Sequence, residues 1–574
     1  MIAFLLLGLA AFFGLFLLYP LCLMLGGTFF VEHSVGVNAA GKAITAHVFS
    51  LEYYRLVFEN PFLQQCMINS LIIAIGTTLG CLILALPLAQ LFLKYRFPGK
   101  AALGSLILVP LILPPFVGAL GLKQLFSRFG SVNLLLEQLG IVNLHHPPDW
   151  FGSGGFFGII VMLILHLYPI MFLSVQAAMA NVDPSLKDAA RNLGASGWRI
   201  FRTVTLPLSM PGIFAGTALV FVSAFTDLGV PLMFEFQTTI PSQIFYFVSQ
   251  PGSPTGLVLV VLMLLLVGVV FALTRLFGQG DYAMMGRSAT TTVEEPLRGF
   301  TAILVPVLIG GLILLSAIPH LGVILQSFSG KWFMTVLPEQ WTTGAYRDIL
   351  DFPLTVSSIR NSLLYSSASC VLDIVLGLTI AWLLSRANFF GKSLLDSISM
   401  LPLALPGLVL AFAYLSAFSI GPFLSIKWLT PRSDPTLLLV IAYTVHRLPY
   451  MVRAACAGFQ QTAVTLEEAS INLGASRLMT FRKITSPLIA ANLAAGIILA
   501  FSFAMLDVSN GMILAQEEPR YPMTKAIFAL MGRITPNAPS IACAMGVLAM
   551  ILLGISLYAS SRMMGKSMGR LFKV

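Results

Sequence analysis

The sequence predicts an all-α polytopic membrane protein of about twelve transmembrane helices, arranged as two tandem six-helix halves. Three observations lead there. Hydrophobic residues make up 57% of the 574, only 10% are charged, and the mean hydropathy is +0.90, whereas a soluble surface carries about a quarter charged residues. Apolar runs of about 20 residues, the length of a bilayer-crossing helix, recur along the whole chain. The string Asn-Leu-Gly-Ala-Ser occurs at 192–196 and again at 472–476, each copy in a charged island between apolar runs.

In the first half the spans fall near residues 3–25, 69–91, 103–123, 157–179, 205–226 and 256–277. In the second they fall near 301–327, 361–384, 395–419, 436–458, 487–507 and 540–560. The first lacks a basic flank and a small-residue cleavage site, so it reads as a retained helix and not as a signal peptide. The third and ninth carry the prolines of "VPLILPPFV" (109–117) and "LPLALPGLV" (401–409). Both spans should therefore break, either lining a cavity or forming packing kinks. The domain boundaries follow: residues 1–280, a cytoplasmic linker at 281–298, and residues 299–574. Six scattered cysteines without a CxxC pair read as buried free thiols. In the outward segment "HHPPDW", His145, His146 and Asp149 lack helical ligand spacing, so no metal site is expected.

The net charge of +10 is topological. With both termini in the cytoplasm, 19 of the 33 Lys and Arg residues fall in cytoplasmic segments: Lys94, Arg96, Lys100, Lys187, Arg191, Arg199, Arg202, Arg275, Arg287, Arg298, Arg386, Lys392, Arg477, Arg482, Lys483, Arg562, Lys566, Arg570 and Lys573. That is the positive-inside bias of a multi-pass inner-membrane protein, and it speaks against a nucleic-acid partner.

The two halves superpose in sequence. "SLKDAARNLGASGWRIFRTVTLPL" (185–208) matches "TLEEASINLGASRLMTFRKITSPL" (465–488) at 12 of 24 positions without a gap. The same offset of 280 pairs His166, Pro169 and Met171 with His446, Pro449 and Met451, and Asp227 with Asp507. Upstream the offset is 292, pairing Asn69-Ser70 with Asn361-Ser362, because the first half carries an outward insertion. Six spans repeated in one orientation make a parallel repeat.

Each island encodes a short helix. Asp183 can N-cap the first, with Pro184 at its first position; Thr465 and Glu468 form a capping-box pattern in the second. Gly194 and Gly474 stand where the helices stop. Leu186, Ala189, Ala190 and Leu193 line one face, as do Leu466, Ala469, Ser470 and Leu473. Helices of about ten residues need a partner's groove to persist. A helix lying on lipid would carry large aromatics in that stripe, and none is present. Two matched helices imply two matched grooves.

The pattern acid-Ala-small-x3-Gly with a later proline (Asp188-Ala189-Ala190, Gly194, Pro207; Glu468-Ala469-Ser470, Gly474, Pro487) resembles the "EAA" loop of binding-protein-dependent ABC-importer permeases. The two-half chain looks like the fused double permeases of the ferric-iron, 2-aminoethylphosphonate and thiamine systems. The resemblance implies that both islands dock on two copies of a cytoplasmic ABC ATPase, and that a periplasmic solute-binding protein delivers the cargo. Asp188 replaces the family's Glu and Ser470 its second Ala, changes that keep charge or size. No cofactor is expected. Nor is the chain expected to hydrolyse ATP itself: "FGKS" (390–393) and "MGKS" (564–567) follow Arg386 and Ser560 where a P-loop needs its first glycine. No catalytic cluster is present. Ferric iron ranks first among solutes, then 2-aminoethylphosphonate or another phosphorylated compound, then thiamine. The rival reading is a twelve-helix secondary transporter, which would want an acid in the loop "KYRFPGK" and has no use for two docking helices.

Ionisable groups at bilayer depth mark structure or pathway. Asp373 and Arg447 lie at similar depth in the eighth and tenth spans, and their first-half counterparts are Cys81 and Leu167, so the two are expected to pair. Arg453, opposite Leu173, has no evident partner and is expected near the headgroups. Asp227 and Asp507 sit at the outer ends of the fifth and eleventh spans, as a ring at the pathway mouth, a docking surface or solvated helix ends.

Overall fold

The computed structural model describes residues 2–37, 43–250, 253–278, 294–420, 429–533, 535 and 537–564. The linker residues 281–293 and the basic residues Arg287, Lys566, Arg570 and Lys573 lie outside them. Every expected span is helical. Among the described residues, nine helices are long and apolar enough to cross a membrane, and two bent pairs raise that to eleven. A further helix, Thr436–Gln461, has the same length range but carries Arg447 and Arg453.

The bent pairs are the proline-broken spans. Lys100–Ile112 meets Pro115–Gln138 at 92°, and Lys392–Ala404 meets Gly407–Ser419 at 100°. The cause is local: Leu113 (φ −93, ψ 128) and Leu405 (φ −89, ψ 126) are extended because each precedes a proline. After the second break the helix is buried on all sides, from Leu408 through Phe418.

The chain packs as two compact units that do not follow the sequence repeat: residues 1–61, 243–264 and 345–574 form one, and 62–242 with 265–344 form the other. The first span of each half therefore packs with the remaining spans of the other half. In the first unit Tyr414 donates to Phe16 O at 2.5 Å, and Phe16 stacks on Phe418. In the second unit Gly121 and Gly322 let two helix backbones touch; a methyl on either would overlap Pro319 O or Gly121 O.

The Asn-Ser doublets do the same job in each unit. Asn69 Nδ2 donates to Thr238 O and Ser70 Oγ accepts from Ile240 N; Asn361 Nδ2 donates to Pro519 O and Tyr521 O while Ser362 Oγ accepts from Met523 N. Each doublet thus caps a short helix, Ile240–Tyr246 or Met523–Met531, and fixes the loop before it. Five of the six cysteines are buried and all are free.

Candidate functional site

The island helices are Pro184–Asn192 and Val464–Asn472, nine residues each. Both end in the same way. Gly194 (φ +80) and Gly474 (φ +89) take the left-handed conformation, and the amides of Ala195 and Ala475 donate back to Ala190 O and Ser470 O at 3.0 and 3.1 Å. That is a Schellman stop. Ser196 and Ser476 then N-cap the next helices, accepting from Arg199 N and Met479 N. The repeated pentapeptide is therefore a hinge of two capped helix ends, its glycine closing one and its serine opening the next. A wide π turn follows at Phe201–Thr205 and Phe481–Thr485, just before Pro207 and Pro487. It makes room for a ring that lacks an N–H and would clash with the carbonyl four residues back.

The two surfaces match residue for residue. Leu186 and Leu466 are both 47% exposed, and Leu193 and Leu473 are 87% and 89% exposed. Asp188, Ala189, Glu468 and Ala469 are exposed beside them, and Ala190 and Ser470 are half-buried. Ser470 Oγ lies 3.0 Å from Thr480 Oγ1 and hydrogen-bonds to it.

The helix starts differ. Asp183 accepts from Ser185 N at 2.9 Å, and these hydrogen bonds hold its carboxyl below the usual range. The capping box expected at Thr465 and Glu468 does not form: the second helix begins earlier, at Val464, after Ala463, which has no side-chain acceptor. Thr465 is the second helical residue and not the N-cap, so its hydroxyl is not placed to accept from the amides two or three residues on. What fixes this start is Glu467. Arg386 pairs with it at 3.3 Å with side chains 11% and 16% exposed, and Arg386 Nη2 also donates to Phe459 O and Thr462 O. Thr485 Oγ1 donates to the same carboxylate.

The first island has no such pair, because the counterparts of Arg386 and Glu467 are Lys94 and Lys187. Burial pushes the Lys187 ammonium down from its ordinary value. Acids from the linker's end balance the charge: Glu295 lies 3.7 Å from Lys94 and 3.6 Å from Arg191, and Glu294 pairs with Lys100 at 2.8 Å. Backbone pairing of Tyr95–Arg96 with Glu295–Pro296 holds the linker there.

The intramembrane charges correct the expected pairing. Arg447 Nη2 donates to Asp507 Oδ2 at 2.9 Å, not to Asp373. Both Asp373 oxygens are buried without a hydrogen-bond partner among the described residues. Depth along straight helices put Asp507 at a span's outer end, but the chain there turns into the short helix Ser509–Leu514 and folds the carboxylate inward, to 2% exposure. Asp507 is accordingly no solvated helix end. Both symmetric aspartates cap the short helix that follows them: Asp227 Oδ1 accepts from Val230 N and Asp507 Oδ1 from Asn510 N, each at 2.8 Å. Arg453 finds Asp396 at 3.8 Å, a partly exposed pair that depth along its own helix did not reveal. The matched histidines sit at the breaks: His166 Nδ1 donates to Pro110 O at 3.0 Å, and a Cβ on Gly407 would stand 2.8 Å from His446 Cε1. In the outward insertion Asp149 pairs with Arg128. Sequence reading missed Arg386, Glu467, Glu294 and Glu295; the only available signal was the Lys94/Arg386 and Lys187/Glu467 charge difference between the aligned halves.

Residues 76–280 and 373–570 each match the family model of the binding-protein-dependent transport system inner membrane component. The chain belongs to this family, twice over, and is a transmembrane subunit of an ABC importer; the secondary-transporter reading falls. Similar proteins include the ferric transport system permease protein FbpB of Actinobacillus pleuropneumoniae, 25% identical over 546 residues, 92% of this chain and 76% of that one. A putative ferric transport system permease protein FbpB 1 of Haemophilus influenzae is 25% identical over 519 residues, 87% of this chain and 78% of that one. The molybdenum transport system permease protein ModB of Escherichia coli is 35% identical over 176 residues, 29% of this chain and 72% of that one.

Proposed function

We propose that this permease carries ferric iron across the bacterial inner membrane, both termini cytoplasmic, and that two copies of an ATPase subunit grip its two island helices. The cargo reading rests on the relatives that span most of this chain, which are ferric transport permeases by name. The docking reading rests on one observation, the matched exposure of Leu186/Leu466 and Leu193/Leu473 on helices too short to stand alone. A groove that takes Leu193 takes Leu473, so a symmetric ATPase pair fits both. ATP hydrolysis belongs to that partner, and a periplasmic binding protein delivers the solute. Closing of the ATPase pair would move each island as a unit, because the Schellman stop and the serine cap make it a rigid hinge.

Uptake in a strain lacking this chain, restored by the chain itself, tests both parts. Labelled ferric iron should enter only with the intact chain, and a Gly194→Asp/Gly474→Asp version at equal membrane abundance should lose uptake at least tenfold. Entry of 2-aminoethylphosphonate or thiamine instead would replace the cargo and leave the docking reading standing. Uptake indifferent to the island changes would remove the docking reading.

A further inference from the structure

Among the described residues of the second half, Arg447 and the buried carboxylates Asp373 and Asp507 lie together in the first packing unit. Arg447 serves Asp507 in this structure, and its Nε is buried with no acceptor. Asp373, 1% exposed, has two oxygens with no donor, and lies within electrostatic reach of Arg447. Comparison of the halves shows which acid needs the arginine. Asp227 performs the same helix-capping task as Asp507 although Leu167 stands where Arg447 would be. Asp373 and Arg447 are the residues that differ together between the halves, from Cys81 and Leu167. The helices that carry them pack tightly, with Gly377 against Met451 one turn further along.

Asp507 also has replacements at hand. Asn510 donates to it through both its backbone N, at 2.8 Å, and its Nδ2, at 3.1 Å, and His446 Nδ1 stands 3.6 Å away without a partner. A bare carboxylate at bilayer depth is too costly to persist, so Asp373 must be neutral while Arg447 is elsewhere.

We propose that Arg447 alternates between Asp507 and Asp373 as the importer changes its access state. In the state seen here Asp373 carries a proton, Arg447 is on Asp507 and His446 is neutral. In the other, Asp373 releases its proton, which His446 Nδ1 takes up; Arg447 bonds Asp373, and the His446 imidazolium bonds Asp507. The cluster's net charge is zero in both states, no proton is gained or lost, and two discrete arrangements of the same groups give a bistable element. Tyr443 lies near Asp507 and Arg447, and Cys370 lies near Asp373; neither takes part in the exchange. The first half lacks the device, so the two halves respond unequally to the same ATPase stroke.

Infrared difference spectra of the importer purified with its ATPase, resting against ATP–vanadate-trapped, test this without knowledge of the solute. One state should show the stretch of a protonated carboxyl and the other should lack it. Asp373→Asn should lack that band in both. Asp507→Asn, which leaves Arg447 only Asp373, should also lack it in both. A carboxyl band of equal amplitude in the two states of the wild type overturns the exchange, as does its survival in Asp507→Asn. The double variant Asp373→Cys/Arg447→Leu, which installs the first half's own residues and leaves Asp507 capping its short helix without an arginine, as Asp227 does, is the folded control. It should remain in the membrane at wild-type abundance and show no carboxyl band that changes between the two states. A nucleotide-dependent band in that variant would place the proton elsewhere and overturn the assignment to Asp373.

Discussion

The two island helices present nearly identical outward faces and are held from behind by different means. The second rests on a mostly buried ion pair, Arg386 with Glu467, reinforced by two carbonyls and a hydroxyl. The first rests on more exposed contacts from Lys94, Lys100 and Arg191 to Glu294 and Glu295 at the end of the linker. The outward face repeats while the anchor does not, which fits a constraint set by two equal grooves on the partner. On the proposed docking the inner fastening is free to differ, because the partner would meet only the outward face. The first anchor also uses a segment that only a fused chain possesses, since Glu294 and Glu295 follow the first half's last span.

The sharpest way to break this comparison is Glu467→Gln. It leaves Arg386 mostly buried with only carbonyl partners, and breaking such a pair costs about 3–5 kcal/mol. Uptake should fall more than tenfold, and the purified chain should melt at clearly lower temperature. Glu467→Lys, which copies the first half, should be worse, because two cations would then face each other without the linker's acids. A melting temperature within error of wild type for either variant would show that the island is held by something other than this pair.

The matching change in the first half should be far milder. Glu294→Gln/Glu295→Gln removes exposed contacts worth about 1 kcal/mol or less each. Uptake should drop a few-fold at most, and high salt applied to vesicles of the wild type should reproduce part of the loss, since the screening length shrinks to about 3 Å at 1 M and these pairs are solvent-exposed. Salt should leave the Arg386–Glu467 side untouched. Equal salt sensitivity of the two islands, read by cysteine accessibility at Ala189 and Ala469, would erase the distinction.

Gly194→Ala and Gly474→Ala should then fall together. No atom lies within 4 Å of a Cβ at either site, so the cost is conformational only, about 1–2 kcal/mol for a left-handed residue. A twofold to tenfold loss of uptake, the same for both, would sharpen the idea that the hinges are equivalent while the anchors are not.

What could be read from sequence was what neighbours in sequence decide. The helix stops at Gly194 and Gly474, the breaks at Pro114 and Pro406, and the Asp183 cap all depend on residues within five positions of each other. The partners that were missed are far apart in the chain: Arg386 and Glu467 are 81 residues apart, and Lys100 and Glu294 are 194. Arg447 was assigned to the wrong acid because equal depth along straight helices ignores where a loop returns. Asp507 comes back into the core because the helix ends at Leu506 (φ −102, ψ 10) and a short helix restarts at Ser509, and no hydropathy run records that break. The capping box at Thr465 was a local pattern overruled by a tertiary one, Glu467 being held by Arg386.

The smallest difference between the islands is at their first residues, and it can be tested by exchange. Asp183 caps its helix and Ala463 cannot. The hydrogen bonds from Ser185 depress the Asp183 pKa, so the folded state prefers the charged form. The cap's contribution is then fully present above the ordinary aspartate pKa and disappears as pH falls through the depressed folded value. Amide exchange at Ser185–Lys187 should therefore speed up relative to neighbouring residues in acid, after correction for intrinsic rates, while Thr465–Glu467 should show no such step. Asp183→Ala should give the first island the second's pH-insensitive fraying, and Ala463→Asp should give the second a cap and an acid step of its own. If Ala463→Asp protects nothing, the Arg386–Glu467 anchor already fixes that helix start. The two islands would then differ by a substitution of fastening and not by the loss of one.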